Sequence, residues 1–295
     1  MVASKLNPVS KFIIYGVLVI IAALWTLPTF GLLVTSIRNA DDATATGWWT
    51  VFTRGNLNLT IGNYLEVLGT GGTDASNAAA STNLNQATVN TIIMAIPSTV
   101  IPIFLAALAA YAFAWMNFPG RKWLFMILVA LLVVPLQMSL IPILRDYNTL
   151  GLNGTYLGVW LANTGFGLPL ATYLLYNYIV TLPREVFESA VMDGASHPVM
   201  FLKLVVPLSL PAFASFAIFQ FLWVWNGVLI PLVFLGDDPS RVVLPQRILG
   251  MLTTYASNWT LLTAGAFVSM AIPLIVFIAF QRYFVRGMLA GSVKG

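Results

Sequence analysis

Covalent chemistry needs a nucleophile, a base or a metal-ligand set, and this 295-residue chain offers almost none: it has one histidine, His197, and no cysteine. The absence of cysteine removes disulfides, thiol nucleophiles and thiolate metal sites together. A phosphate-binding loop needs Gly-Lys followed by Ser or Thr, and none of Lys5, Lys11, Lys122, Lys203 and Lys294 follows a glycine. ATP hydrolysis by that chemistry is therefore excluded, and no cofactor or metal is expected on the chain. What remains is a set of amides and aromatics inside apolar runs: Gln137, Asn163, Tyr173, Tyr176, Asn177, Gln220, Trp223, Trp225 and Asn226. Amide hydrogen bonds to hydroxyls, with an aromatic face against a ring, suit a polyol pathway. Interfacial anchoring and helix–helix hydrogen bonds account for the same residue types. Gln220, Trp223, Trp225 and Asn226, which share the fifth apolar run, are the candidates for such a pathway.

The elements that must position these residues follow from the distribution of charge. Asp, Glu, Lys and Arg make up 8% of the chain, against about 25% in a soluble domain, which rules out a soluble enzyme. Charge-free runs cover 12–37, 75–120, 123–144, 147–183, 204–236 and 248–281, and each can hold the roughly 20 apolar residues that cross a bilayer as a helix. We place spans at 12–36, 87–115, 123–144, 156–180, 207–235 and 261–283. The expected fold is an all-α polytopic membrane protein with six transmembrane helices. The first run is too long for a signal-peptide core and lacks a small-residue cleavage site at its end. Residues 1–84 then form an amino-terminal helix with an outer loop, and 85–295 the main transmembrane domain. Within the outer loop, the small-residue composition of 69–85 favours irregular or mobile backbone.

With six spans both termini share a side. That side carries Lys5, Lys11, Arg121, Lys122, Arg184, Lys203, Arg282, Arg286 and Lys294 against Glu185, Glu188 and Asp193. The other carries Arg38, Arg54, Arg145, Arg241 and Arg247 against Asp41, Asp42, Glu66, Asp74, Asp146, Asp237 and Asp238. The excess of basic residues places the termini and the 182–207 loop in the cytoplasm. The loops at 38–86 and 236–260, with Trp48, Trp49, Tyr255 and Trp259, face outward. The scattered basic residues form no stripe for nucleic acid. Prolines 28, 97, 102, 135, 142, 169, 207, 211, 231 and 273 lie in or beside the runs; each removes a helix donor, which a bundle tolerates when neighbours satisfy the freed carbonyl.

The 182–207 loop has the only charges in helical register. Pro183 suits a first helical turn, with Glu185 and Glu188 near the positive end of the helix dipole. Ala190 and Met192 continue the helix, Asp193-Gly194 breaks it, and Pro198 starts a second short helix toward Pro207. Two short helices make a knob, with Phe187, Val191 and Phe201 as its candidate apolar contacts to a partner. From these residues alone, an amphipathic loop on the membrane surface is an equal alternative.

Glu188-Ser189-Ala190, Gly194 and then 204–207 (Leu-Val-Val-Pro) resemble the EAA loop of ATP-binding-cassette importer permeases, with Ser189 in place of the usual alanine. Three further stretches resemble the maltose-type carbohydrate permeases: 150–158 (Leu-Gly-Leu-Asn-Gly-Thr-Tyr-Leu-Gly), Trp225-Asn226 with Pro231-Leu232, and the tail 281–287 with 290–295. The resemblance implies one half of a transmembrane pathway in a bacterial or archaeal cell membrane. It implies a second permease, two ATP-binding cassette subunits that hold ATP and Mg, and an extracytoplasmic solute-binding protein. It also implies that Glu185, Glu188, Ser189, Ala190, Asp193 and Gly194 couple to the ATPase subunits. A secondary transporter or channel subunit is the alternative, although the six runs contain none of the ionisable groups that usually couple ion flow.

Overall fold

The computed structural model describes residues 7–53, 58–69, 83–254 and 258–292, with 253–254 and 283–292 described by backbone alone. Tyr255, most of the 69–85 segment, the 293–295 end and the side chains of the tail beyond Arg282 lie outside the described residues. Among the described residues the chain is helical, and its one β feature is an isolated bridge between Arg38 and Leu59. Its contacts separate two units, Met1–Asn85 with Ile248–Val268, and Gln86–Arg247 with Ser269–Gly295.

In the first unit, α1 (Pro8–Ser36) begins at Asn7, whose side chain accepts from the Val9 N–H at 3.4 Å. Its buried residues are Gly31, Val34 and Ser36, while Phe12 and Trp25 are 81% and 80% exposed; so much apolar surface is stable only against lipid or a partner helix. Short helices α2 (Ala40–Ala45), α3 (Thr50–Thr53) and α4 (Gly62–Val67) follow. They close over the end of α1 through Asn63, whose Nδ2 donates to the Ser36 and Arg38 carbonyls at 2.9 and 2.8 Å. This polar stretch is thus an ordered cap over its described length. Trp48 packs edge-on against Phe30 at 5.8 Å, whereas Trp49 is exposed.

The second unit holds most of α5 (Leu84–Trp115), then α6 (Arg121–Ala130) with a tight turn over 131–133, α7 (Leu136–Leu150) and α8 (Tyr156–Ile179). Two short helices, α9 (Arg184–Met192) and α10 (His197–Met200), lead through a π turn to α11 (Val206–Leu208) and then α12 (Leu210–Asn226) and α13 (Leu229–Phe234). Helices α14 (Leu244–Thr254) and α15 (Trp259–Ser292) complete the chain. All six expected spans are helical over most of their length, but they are not six rods. Among the described residues three uninterrupted helices, α1, α5 and the Trp259–Arg282 part of α15, are long and apolar enough to span. The expected span 123–144 instead bends by 105° between Arg121–Val133 and Leu136–Leu150, because Val134 precedes Pro135 and is forced into extended backbone (φ −67, ψ 116). The expected span 207–235 is likewise interrupted after Asn226, and α12 meets the segment before it at 73°. The 24-residue α8 is about 36 Å long, with Thr155 capping its first turn by accepting from the Gly158 N–H.

Proline chemistry organises this unit. Pro97 and Pro102 in α5 and Pro273 in α15 leave the carbonyls of Ile93, Ser98 and Ser269 without their donors four residues on. Each of these carbonyls is taken by a side chain from another helix: Trp160 Nε1 on Ile93 at 3.1 Å, Gln220 Nε2 on Ser98 at 3.2 Å, and Trp225 Nε1 on Ser269 at 3.1 Å. A buried carbonyl without a donor costs about 1–3 kcal/mol, so each cap also docks one helix on another. Trp225→Phe should therefore destabilise the protein by about 1–3 kcal/mol. In a Pro273→Ala background, where residue 273 supplies the missing N–H, the same change should cost much less; denaturant titration in detergent of the four members of this cycle checks it.

Candidate functional site

The knob forms as its sequence predicts, and its geometry explains its residues. Helix α9 ends at Asp193, and Gly194 takes a left-handed conformation with φ +77. The Gly194 N–H donates to Val191 O at 3.0 Å and the Ala195 N–H to Ala190 O at 2.9 Å, the two bonds of a Schellman motif. Space beside Gly194 is open, so the requirement for glycine there comes from the backbone angle. Ser189 Oγ returns to the Glu185 carbonyl at 2.8 Å. Glu185, Glu188, Ser189, Asp193 and Gly194 are exposed and Ala190 is half-buried.

The apolar contacts sit differently from expectation. Phe187 and Phe201 were expected to face a partner, but they are 3% and 7% exposed and belong to the core formed with Ala106, Ala110 and Tyr111 of α5 and Leu175 and Ile179 of α8. Helix amphipathicity turned Phe187 inward, onto Trp115, with ring planes 16° apart and centroids at 3.9 Å. His197 Nδ1 pairs with Tyr111 Oη at 2.8 Å, which adds a polar tie between the knob and α5. Val191 remains exposed beside Met192, at 59% and 88%. The knob is thus bolted to its own bundle by aromatics and presents acids, Val191 and Met192 outward. A cavity of about 390 Å³ lies between it and α5, lined by Tyr111, Trp115, Phe187, Glu188, His197 and Met200 among others.

The four pathway candidates divide. Gln220 and Trp223 line a cavity of about 730 Å³ bounded by α7, α8 and α12 and the turn at 131–133. Trp223 also lines a second cavity of about 380 Å³, with Gln137 and Asn163. Trp225 is fully buried as the Ser269 cap, and Asn226 is exposed with its Nδ2 on the Leu222 carbonyl of its own helix; neither lines either cavity. Of the other amides and aromatics, Tyr176 packs on Phe125 at 4.4 Å. Sequence reasoning missed Phe166, Phe219, Gly165 and Pro169 as cavity residues. The Gly-Phe-Gly-Leu-Pro run at 165–169 was the available signal.

The 236–247 loop is tied to the first turns of α5. Asn90 Nδ2 donates to the Ser240 and Val242 carbonyls, both at 2.9 Å, and the Leu244 N–H donates to Thr91 Oγ1 at 2.7 Å. Arg241 donates to the Gly154 carbonyl. Asp238 accepts from the Ser240 hydroxyl at 2.7 Å and the Ser240 N–H at 3.0 Å. Those two donors, with Arg241 beside them, hold its carboxyl below the usual carboxylate range.

A family described as the binding-protein-dependent transport system inner membrane component matches residues 87–290. The chain is 52% identical over 287 residues to the osmoprotective compounds uptake permease protein GgtD of Synechocystis sp., covering 96% of this chain and 92% of that one. It is 41% identical to the alpha-glucoside transport system permease protein AglG of Rhizobium meliloti, covering 99% of each. Among solved structures, a chain of a bacterial ABC transporter involved in import of the acidic polysaccharide alginate aligns with TM-score 0.69 at 21% identity, covering 94% of this chain and 96% of that one. That likeness establishes a shared fold.

Two outcomes test this geometry. Phe187→Ala should destabilise the protein by about 3 kcal/mol while Val191→Ala changes it by less than about 0.5 kcal/mol, as read by denaturant titration. Because its folded-state pKa is lowered, Asp238 supports the loop fully above the ordinary carboxylate range and loses that support as pH falls through the lowered value. Amide exchange at Ser240 should accordingly hold steady through neutral and mildly acidic pH, relative to intrinsic rates, and quicken only in strong acid.

Proposed function

The chain belongs to the binding-protein-dependent transport system inner membrane components, and from that membership we propose that it is half of the transmembrane pathway of an ATP-driven carbohydrate or polyol importer. The family match over 87–290 and the likeness to sugar permeases support this reading. The observation that carries the mechanism is the knob: a short helix closed by a Schellman motif, bolted to the bundle through Phe187 and Trp115, with Glu185, Glu188 and Asp193 on its open side. A rigid projection of this kind transmits force in both directions. Two cytoplasmic ATPase subunits, one gripping this knob and the other that of a second permease, differ in contacts between open and closed states, and that difference shifts the bundle between two accesses.

In this reading Glu188 makes a charged contact with the ATPase, Glu185 and Asp193 flank it, and Ser189, Ala190 and Gly194 shape the helix end. ATP and Mg are held by the ATPase subunits, and both termini and the knob lie on the cytoplasmic side. The 236–247 loop, tied to α5 by Asn90 and Thr91, faces outward to meet a loaded solute-binding protein.

The test separates insertion, assembly and coupling. The purified chain alone should hydrolyse no ATP, and the whole transporter should hydrolyse it faster with loaded binding protein. Glu188→Lys should leave membrane insertion intact and reduce ATPase docking or stimulated hydrolysis by about tenfold or more, the scale expected for reversing one charge at an interface. Coupled transport at wild-type rate in both Glu188→Lys and Gly194→Leu would refute the coupling role.

A further inference from the structure

Pro169 in α8 removes the helix donor for the Gly165 carbonyl, just as Pro97, Pro102 and Pro273 do for theirs. The outcome differs. Among the described residues no side chain donates to Gly165 O, nor to Met138 O behind Pro142 in α7; Gly165, unlike Met138, lines the 730 Å³ cavity together with Pro169. In a membrane-spanning bundle a freed carbonyl is tolerated where it borders a wet cavity. Nearby on the same wall, Gln220 is held with its amide oriented: Nε2 is committed to Ser98 O, which leaves Oε1 as an acceptor. That placement depends on Gly167, where an added Cβ would lie 2.7 Å from Nε2 and 2.9 Å from Oε1.

We propose that the Gly165 carbonyl and the Gln220 amide oxygen are acceptors of a solute subsite in this cavity, and that the subsite takes an uncharged polyhydroxy compound. The charge inventory narrows the class. Asp146 is the one charged residue in the lining, and no Lys or Arg joins it. Carbonyl, amide oxygen and carboxylate accept hydrogen bonds, the Ser139 hydroxyl accepts while donating to the Pro135 carbonyl at 3.2 Å, and the Trp223 indole N–H and Tyr147 hydroxyl donate, so the wall is matched to hydroxyls, which do both. A carboxylate-bearing sugar would enter without a cation to pair with and would meet Asp146, an unpaired charge that is costly to desolvate. Trp223, Phe166 and Phe219 supply apolar and aromatic surface, and the volume lies within the range of small-molecule sites. The proposal rests on the carbohydrate-permease reading and adds to it the contact atoms and the neutrality of the cargo.

The experiment uses the whole transporter in lipid nanodiscs with a radiolabelled diazirine derivative of maltose. The expected result is photolabelling within residues 161–170, displaced by maltose and not by digalacturonate. Pro169→Ala restores an N–H to the helix at almost unchanged volume and should weaken displacement by maltose about three- to tenfold, the net worth of roughly one hydrogen bond. Gly165→Leu has open space for its side chain and should abolish labelling by filling the cavity. Size-exclusion chromatography confirms that each variant assembles; if Gly165→Leu does not, Pro169→Ala carries the test. Maltose uptake into proteoliposomes without labelling at 161–170, or labelling displaced equally by digalacturonate and unchanged by Pro169→Ala, overturns the subsite and leaves the carbohydrate reading intact. Failure to take up any of maltose, sucrose or glycerol, with loaded binding protein present, overturns the reading beneath it.

Discussion

A proline in a membrane-spanning helix leaves one carbonyl without a donor, and lipid offers none in return. Among the described residues of the second unit, three of the five carbonyls freed by prolines inside helices are met by side chains from other helices. Trp160 of α8 reaches Ile93, Gln220 of α12 reaches Ser98, and Trp225 of α12 reaches Ser269 of α15. These three bonds join four helices at defined heights, in a setting where hydrophobic surface cannot discriminate a helix from lipid. Packing then works on positions already set: Ala106, Ala107 and Ala110 let α5 approach its neighbours closely.

Helix α5 carries a fixed attachment at each end. Its first turns hold the 236–247 loop through Asn90 and Thr91, and its last turns hold the knob through Tyr111 and Trp115. The loop and the knob therefore share one structural member within the unit, and Pro97 and Pro102 lie between the two attachments. Prolines at these positions weaken the helix's own hydrogen bonding while the caps from α8 and α12 keep it tied to the bundle. An importer needs this combination, a member that bends without losing its contacts.

The knob leaves little of its own surface uncommitted. Its two aromatic anchors, Phe187 and Phe201, are spent on the bundle, and its termination is spent on the Schellman bonds. What stays exposed is a row of acids with Val191 and Met192, all on an element whose orientation is already decided by the core.

Several features were legible from residue types alone because they are local. Charge-free runs mark apolar helices, Pro183 starts α9, and the spacing from Ala190 to Gly194 matches the cap that ends it. Absent groups were equally plain: without cysteine, and without a Gly-Lys pair, whole chemistries are excluded whatever the fold. Tertiary structure decided the rest, because it depends on which surfaces meet. The bend at Pro135 has a local cause, but its angle of 105° is not encoded locally, since proline permits many angles. Trp225 and Gln220 have the same polar-aromatic character as solute-binding residues, and only the position of Ser269 and Ser98 on other helices makes one a buried cap and the other both cap and cavity wall. Periodicity shows that Phe187 lies on an apolar face; that the face is covered by Trp115 of the same chain is a long-range contact, beyond what any local pattern encodes.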